Sequence, residues 1–104
     1  MPKISTMRLY FRKENFIGAD YVNPEDCPIA RCVLEHGFPL YAVGSQTVEF
    51  KVGHSFYEIP INPIQKDAVY DCIYYGGDMP EYIDLDIPTE VEAVRIRQTH
   101  QIVN

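Results

Sequence analysis

The chain reads as an α+β domain: a split β-α-β-β-α-β unit whose four-stranded antiparallel sheet carries two helices on one face, with ferredoxin-like topology. Three observations lead there. Two segments carry helix start and stop marks around an apolar stripe. The residues around Gly53-His54 form a hairpin pattern, and alternating segments stand at both ends, near Met7–Phe11 and Ile83–Ile87.

In the first strand, Met7, Leu9 and Phe11 share one face and Arg8 and Tyr10 the other. Residues 12–26 are polar and turn-rich but hold Phe16, Ile17, Tyr21 and Val22, which marks an ordered loop pinned by apolar side chains. The first helix follows, from Pro28 at its opening position to a stop at Gly37. Ile29, Ala30, Val33 and Leu34 form its apolar stripe, with Glu25 and Asp26 at the positive end of its dipole and His36 at the negative end.

Gln46–Val52 and Ser55–Ile59 then flank a two-residue turn in which glycine supplies positive φ. That register sets Val52 against Ser55, Phe50 against Tyr57 and Val48 against Ile59, all on one face, with Phe56 outward. Asn62-Pro63 opens a second helix with a stripe of Ile64, Ala68, Val69, Cys72 and Ile73, and Gly76-Gly77 closes it. In the fourth strand Ile83, Leu85 and Ile87 alternate with Tyr82, Asp84 and Asp86, and Pro88 ends it. Residues 1–88 are thus expected to form one domain. Residues 89–104 form a C-terminal extension, whose pattern fits a helix or a strand and leans to an extended arm.

With 104 residues the chain has length for a single core. Fifteen acidic residues against nine basic ones, net charge −6, argue against a direct nucleic-acid surface. No apolar run is long enough to span a membrane, and the first residues lack the apolar stretch of a secretory signal. Three cysteines are an odd number for a disulfide framework, which points to a reducing cytoplasm.

The segment Asp26-Cys27-Pro28-Ile29-Ala30-Arg31, ending at Gly37, resembles the "CPIARAL" helix of small uncharacterised phage and prophage proteins. The hairpin strand ending in Tyr57-Glu58-Ile59-Pro60, the helix after it and the turn Gly76-Gly77-Asp78-Met79-Pro80 continue that resemblance over roughly residues 7–87. The resemblance implies a mobile-element setting, in a host cytoplasm or a virion, and no established activity. Residues 88–104 extend beyond it.

Candidate chemistry is sparse. Cys27 caps a helix N-terminus, where a thiol pKa can fall, yet Asp26 and Glu25 oppose ionisation and no base lies nearby; a buried cap accounts for it better. Cys27, Cys32, His36 and Cys72 would total four zinc ligands but lack the paired spacing of a zinc site, so neither metal nor cofactor is expected. His54 and His100 are isolated, and Gly44-Ser45 and Gly76-Gly77 lack a phosphate-loop setting.

The acidic run Asp78, Glu81, Asp84, Asp86, Glu90 and Glu92 holds no Lys or Arg and reads first as a solvated outer face. A phosphate-mimicking surface aimed at a nucleic-acid-binding host protein, and a divalent-cation site, are the alternatives. Tyr10, Phe56 and Tyr82 crowd the same outward face as Asp84 and Asp86, and rings on a sheet face want a partner. These five residues, together with the extension from Thr89 to Asn104 as an oligomerisation arm, form the expected interaction surface of a non-enzymatic protein that self-associates or docks on a phage or host assembly. The alternatives are an acidic inhibitor of a host defence protein and a thiol enzyme using Cys27.

Overall fold

The computed structural model describes residues 4–95. Its elements are β1 (Ile4–Tyr10), α1 (Lys13–Phe16), α2 (Pro28–Glu35), β2 (Leu40–Val43), β3 (Thr47–Val52), β4 (Ser55–Pro60), α3 (Pro63–Tyr75) and β5 (Tyr82–Pro88). Residues 89–95 add a helical segment, α4. The class is α+β. Among the described residues no helix is long and apolar enough to cross a membrane.

Both principal helices start and stop where their flanking residues dictate. Ala30 N donates to Cys27 Sγ at 3.4 Å before α2, and Gly37 lies past its end at φ 83°. Asn62 Oδ1 accepts from Ile64 N at 2.9 Å and Gln65 N at 3.2 Å before α3, and left-handed Gly76 closes it. The β3–β4 hairpin has the expected register, Val52↔Ser55, Phe50↔Tyr57 and Val48↔Ile59.

The four strands do not form one sheet. Among the described residues β1 pairs only with β5, and β2, β3 and β4 form a separate antiparallel sheet. β2, unforeseen in sequence, is a four-residue edge strand whose pairing with β3 is interrupted near Tyr41. A ferredoxin-like order would place β1 beside β4, whereas here β5 approaches β4 without a ladder between them. At the outer edge of β1, which that order would use, Tyr10 O accepts from Cys32 Sγ of α2 at 3.5 Å, and the free edge of β5 is covered as well. Gln65 on α3 accepts from Asp84 N at 2.8 Å, and its amide donates to Asp84 Oδ2 at 3.1 Å. A side chain thus takes the backbone donor that a neighbouring strand would use.

Both sheets turn one face to a shared core, in which Leu9, Ile29, Phe50, Val69, Ile83 and Leu85 are buried. The expected helical stripes shift slightly. On α2 Leu34 is exposed and Cys32 is buried in its place. On α3 Ile64 is 80% exposed, because the inward line begins at Gln65 and continues through Val69 and Cys72.

The loop before α2 is ordered, with Phe16 and Tyr21 packed against the core as expected and Ile17 and Val22 exposed. It is held by Arg31, whose guanidinium donates to Ile17 O at 2.6 Å, Gly18 O at 3.2 Å and Asp26 Oδ1 at 2.8 Å. One planar cation thereby satisfies carbonyls that no secondary structure could reach.

The boundary expected at residue 88, with an extended arm beyond it, also needs correction. Residues 89–95 are helical and Val91 is fully buried in the core. Arg95 Nε donates to His36 O at 2.7 Å and its guanidinium lies 4.9 Å from the Phe38 ring centroid. The remainder of the expected arm, residues 96–104, lies outside the described residues.

Val91→Ala should cost about 1–2 kcal/mol of unfolding free energy, read from urea titration, because it deletes buried methyl groups. An unchanged midpoint would show that α4 is not part of the cooperative unit. In Arg31→Met the amides of residues 17–26 should exchange with deuterium faster while those of β3 and β5 keep their protection; equal protection in both proteins would remove Arg31 as the anchor.

Candidate functional site

The β1–β5 ribbon positions four of the five expected surface residues. Phe11 N donates to Glu81 O at 2.9 Å, so antiparallel alternation makes Tyr10↔Tyr82, Arg8↔Asp84 and Thr6↔Asp86 the close, non-hydrogen-bonded pairs. Their side chains meet accordingly. The Tyr10 and Tyr82 rings stand edge to face at 6.1 Å, and Arg8 Nε and Nη2 donate to the Asp84 carboxylate at 2.9 and 3.3 Å. Thr6 Oγ1 donates to Asp86 Oδ1 at 2.6 Å, and the Arg8 guanidinium lies 3.7 Å from the Tyr82 ring centroid.

This face is therefore not a bare acidic strip. The Arg8 hydrogen bond holds the Asp84 carboxyl below the usual carboxylate range, with Gln65 adding a smaller effect in the same direction. In sequence Asp84 and Asp86 have no basic neighbour; the cation comes from a residue seventy-six positions away. Only the β1–β5 register could have revealed it.

Phe56 belongs elsewhere. It lies on the outer side of the β2–β3–β4 sheet, 57% exposed, with its ring edge to face with Tyr41 at 5.1 Å and Lys51 5.3 Å from its centroid. The expected single aromatic face is thus two patches, one on each sheet, and Tyr10 at 58% exposure is the outermost ring of the other. Tyr41 was missed because its short strand has no periodic signal.

The thiols are kept from solvent. Cys27 and Cys32 are buried and Cys72 is half-buried. Burial pushes the Cys27 thiol up, outweighing the opposing hydrogen bonds from the backbone of Ala30 and Ile29. Burial, followed by the charge of Glu35, pushes Cys32 up to about 12. Cys32 Sγ and His36 Nδ1 approach to 3.8 Å, with His36 Nδ1 also 2.7 Å from Cys32 O, while the Cys27 sulfur is engaged by Ala30 N at the opposite end of α2. Among the described residues no three His, Cys, Asp or Glu side chains gather as metal ligands. His54 is exposed in the hairpin turn, and His100 lies outside the described residues.

A further site escaped sequence reasoning. A cleft of about 480 Å³ opens between α3, the Tyr21 loop and the β2–β3 turn, lined by Tyr21, Ser45, Pro60, Ile61, Lys66 and Tyr70. Lys66 Nζ donates to Gly44 O at 2.9 Å and stands 5.7 Å from the Tyr21 ring centroid. Partial burial lowers its pKa. A signal was present in sequence: Lys66 is the single Lys or Arg between Lys51 and Arg95.

The raised Cys32 pKa has a measurable consequence. The unfolded thiol ionises near 9 while the folded one keeps its proton to about 12, so the folded state binds more protons in that window and stability falls as pH rises through it. Urea midpoints compared between about pH 8 and about pH 10 should show a shallower loss in Cys32→Ala than in the parent. Identical losses would place the alkaline sensitivity elsewhere.

No protein-family model, no curated protein and no solved structure matches this chain.

Proposed function

We propose that this chain is a non-enzymatic interaction protein of phage or prophage type, acting in the host cytoplasm or virion. Its partner is a polypeptide, in the first instance a second copy of itself, and otherwise a larger phage or host assembly. The phage setting comes from the resemblance of the Asp26–Arg31 helix start. The supporting observation is that the fold holds more than half of the Tyr10 and Phe56 surfaces in water, each ring braced by a neighbouring ring. Braced rings lose little rotamer freedom on contact, which suits them to polypeptide surfaces.

Two other readings are less well supported. An acidic inhibitor needs free carboxylates, whereas Asp84 is taken by Arg8 and Gln65 and Asp86 accepts from Thr6. A thiol enzyme needs an accessible, ionisable Cys27, which burial opposes.

Sedimentation velocity across a concentration series tests the proposal. A dimer or larger species should form and be weakened at least about tenfold by the double variant Tyr10→Ser/Phe56→Ser. Deletion of residues 96–104 is the appropriate control for the terminus, because cutting at residue 88 would remove Val91 from the core. A strict monomer at high concentration, or association unchanged in the double variant, would count against self-association through these rings.

A further inference from the structure

Lys66 presents a mismatch that the proposed interaction surface does not use. The fold draws its ammonium partly out of water, yet among the described residues the ion pairs join Arg8 to Asp84, Arg12 to Glu35 and Arg31 to Asp26, and none reaches Lys66. Its bonding partner is the neutral Gly44 carbonyl, which leaves donor capacity on an ammonium with three N–H groups. A partly buried cation without a counter-ion is costly, and an anion entering from solvent removes that cost.

The surroundings narrow the anion. The first-turn amides of α3 are occupied, with Ile64 N and Gln65 N donating to the Asn62 side chain and Lys66 N to Asn62 O. The backbone therefore offers no cradle of the kind that holds phosphate groups. Asp67 also lines the cleft, which disfavours a dianion. One ammonium, with the Ser45 hydroxyl also in the lining, suits a monovalent carboxylate.

The walls narrow the rest of the ligand. Tyr21 and Tyr70 stand edge to face at 5.3 Å, and Pro60 and Ile61 supply apolar surface. The cleft of about 480 Å³ falls within the roughly 300–1,000 Å³ of small-molecule sites. A second hollow of about 420 Å³, walled by Val22, Pro24 and Val43, meets it at Tyr21, Ser45 and Lys66, so the ammonium sits at the junction of two cavities. From this geometry we infer that the Lys66 cleft binds a small monocarboxylate with an aromatic or apolar body, its carboxylate on Lys66 Nζ and its body against Tyr21 and Tyr70.

Amide chemical-shift titration of the full chain tests the inference with three probes: 3-phenylpropionate, its neutral counterpart 3-phenylpropan-1-ol, and phenyl phosphate. The acid should shift Ser45, Gln46 and Asp67, and the alcohol should bind at least about tenfold more weakly. Lys66→Met should raise the Kd of the acid by at least about tenfold while leaving the weak binding of the alcohol unchanged. The comparison of acid with alcohol on the parent protein needs no variant, so it decides the matter even where Lys66→Met fails to fold. Equal binding of acid and alcohol, no shift with the acid, or undiminished binding in a folded Lys66→Met would overturn the site. Tighter binding of phenyl phosphate would overturn the carboxylate assignment. Because Tyr10 and Phe56 line neither cavity, a negative result here leaves self-association standing, and a strict monomer leaves this site standing.

Discussion

The pair of hydrogen bonds between the Gln65 amide and Asp84 sets the plan of this molecule. By occupying the backbone donor of Asp84 and one oxygen of its carboxylate, Gln65 closes the free edge of β5 with a side chain. The two sheets consequently share a core without sharing a ladder. α3 is tied down by its first turn, which leaves Ile64 in water and turns Lys66 toward the β2–β3 turn, while Tyr70 and Tyr74 meet Tyr21 edge to face at 5.3 and 5.5 Å.

Charge in this protein is organised by arginine. Arg8, Arg12 and Arg31 each meet a carboxylate at 2.8–2.9 Å, and all three pairs are solvent-accessible. Pairs of that kind contribute little to stability one by one. Their value here is geometric: Arg8 aligns the outer face of the ribbon, Arg12 joins the start of α1 to the end of α2, and Arg31 fixes the loop between them. The net charge of −6 consequently overstates how acidic the ribbon surface is. The lysine in the cleft inverts the pattern, being partly buried and lacking a carboxylate of its own in an ion pair among the described residues.

The positions of Cys27 and Cys32 follow the packing. Helix N-termini can stabilise thiolate, and the Cys27 sulfur does accept from Ala30 N. Desolvation is the larger effect at this site, because its neighbours Pro28 and Ile29 are also buried. Its role is that of a helix cap which happens to be apolar enough for the core.

Much of the secondary structure was legible without coordinates. Pro28 with Gly37, Asn62 with Gly76, and Gly53 in the hairpin each act within a few residues of the backbone they govern, so the boundaries of α2, α3 and the β3–β4 turn follow from local chemistry. The alternation of Ile83, Leu85 and Ile87 with Tyr82, Asp84 and Asp86 likewise fixed which side of β5 meets the core. What tertiary structure alone decided was every relation between distant segments. Examples are the choice of β5 as the partner of β1, Arg8 opposite Asp84, the burial of Val91, the separation of Phe56 from Tyr10, and Lys66 at a cavity junction. Periodicity states which face a residue occupies; it does not state what lies across from that face, because partner choice depends on which edges and cavities the rest of the chain has already filled.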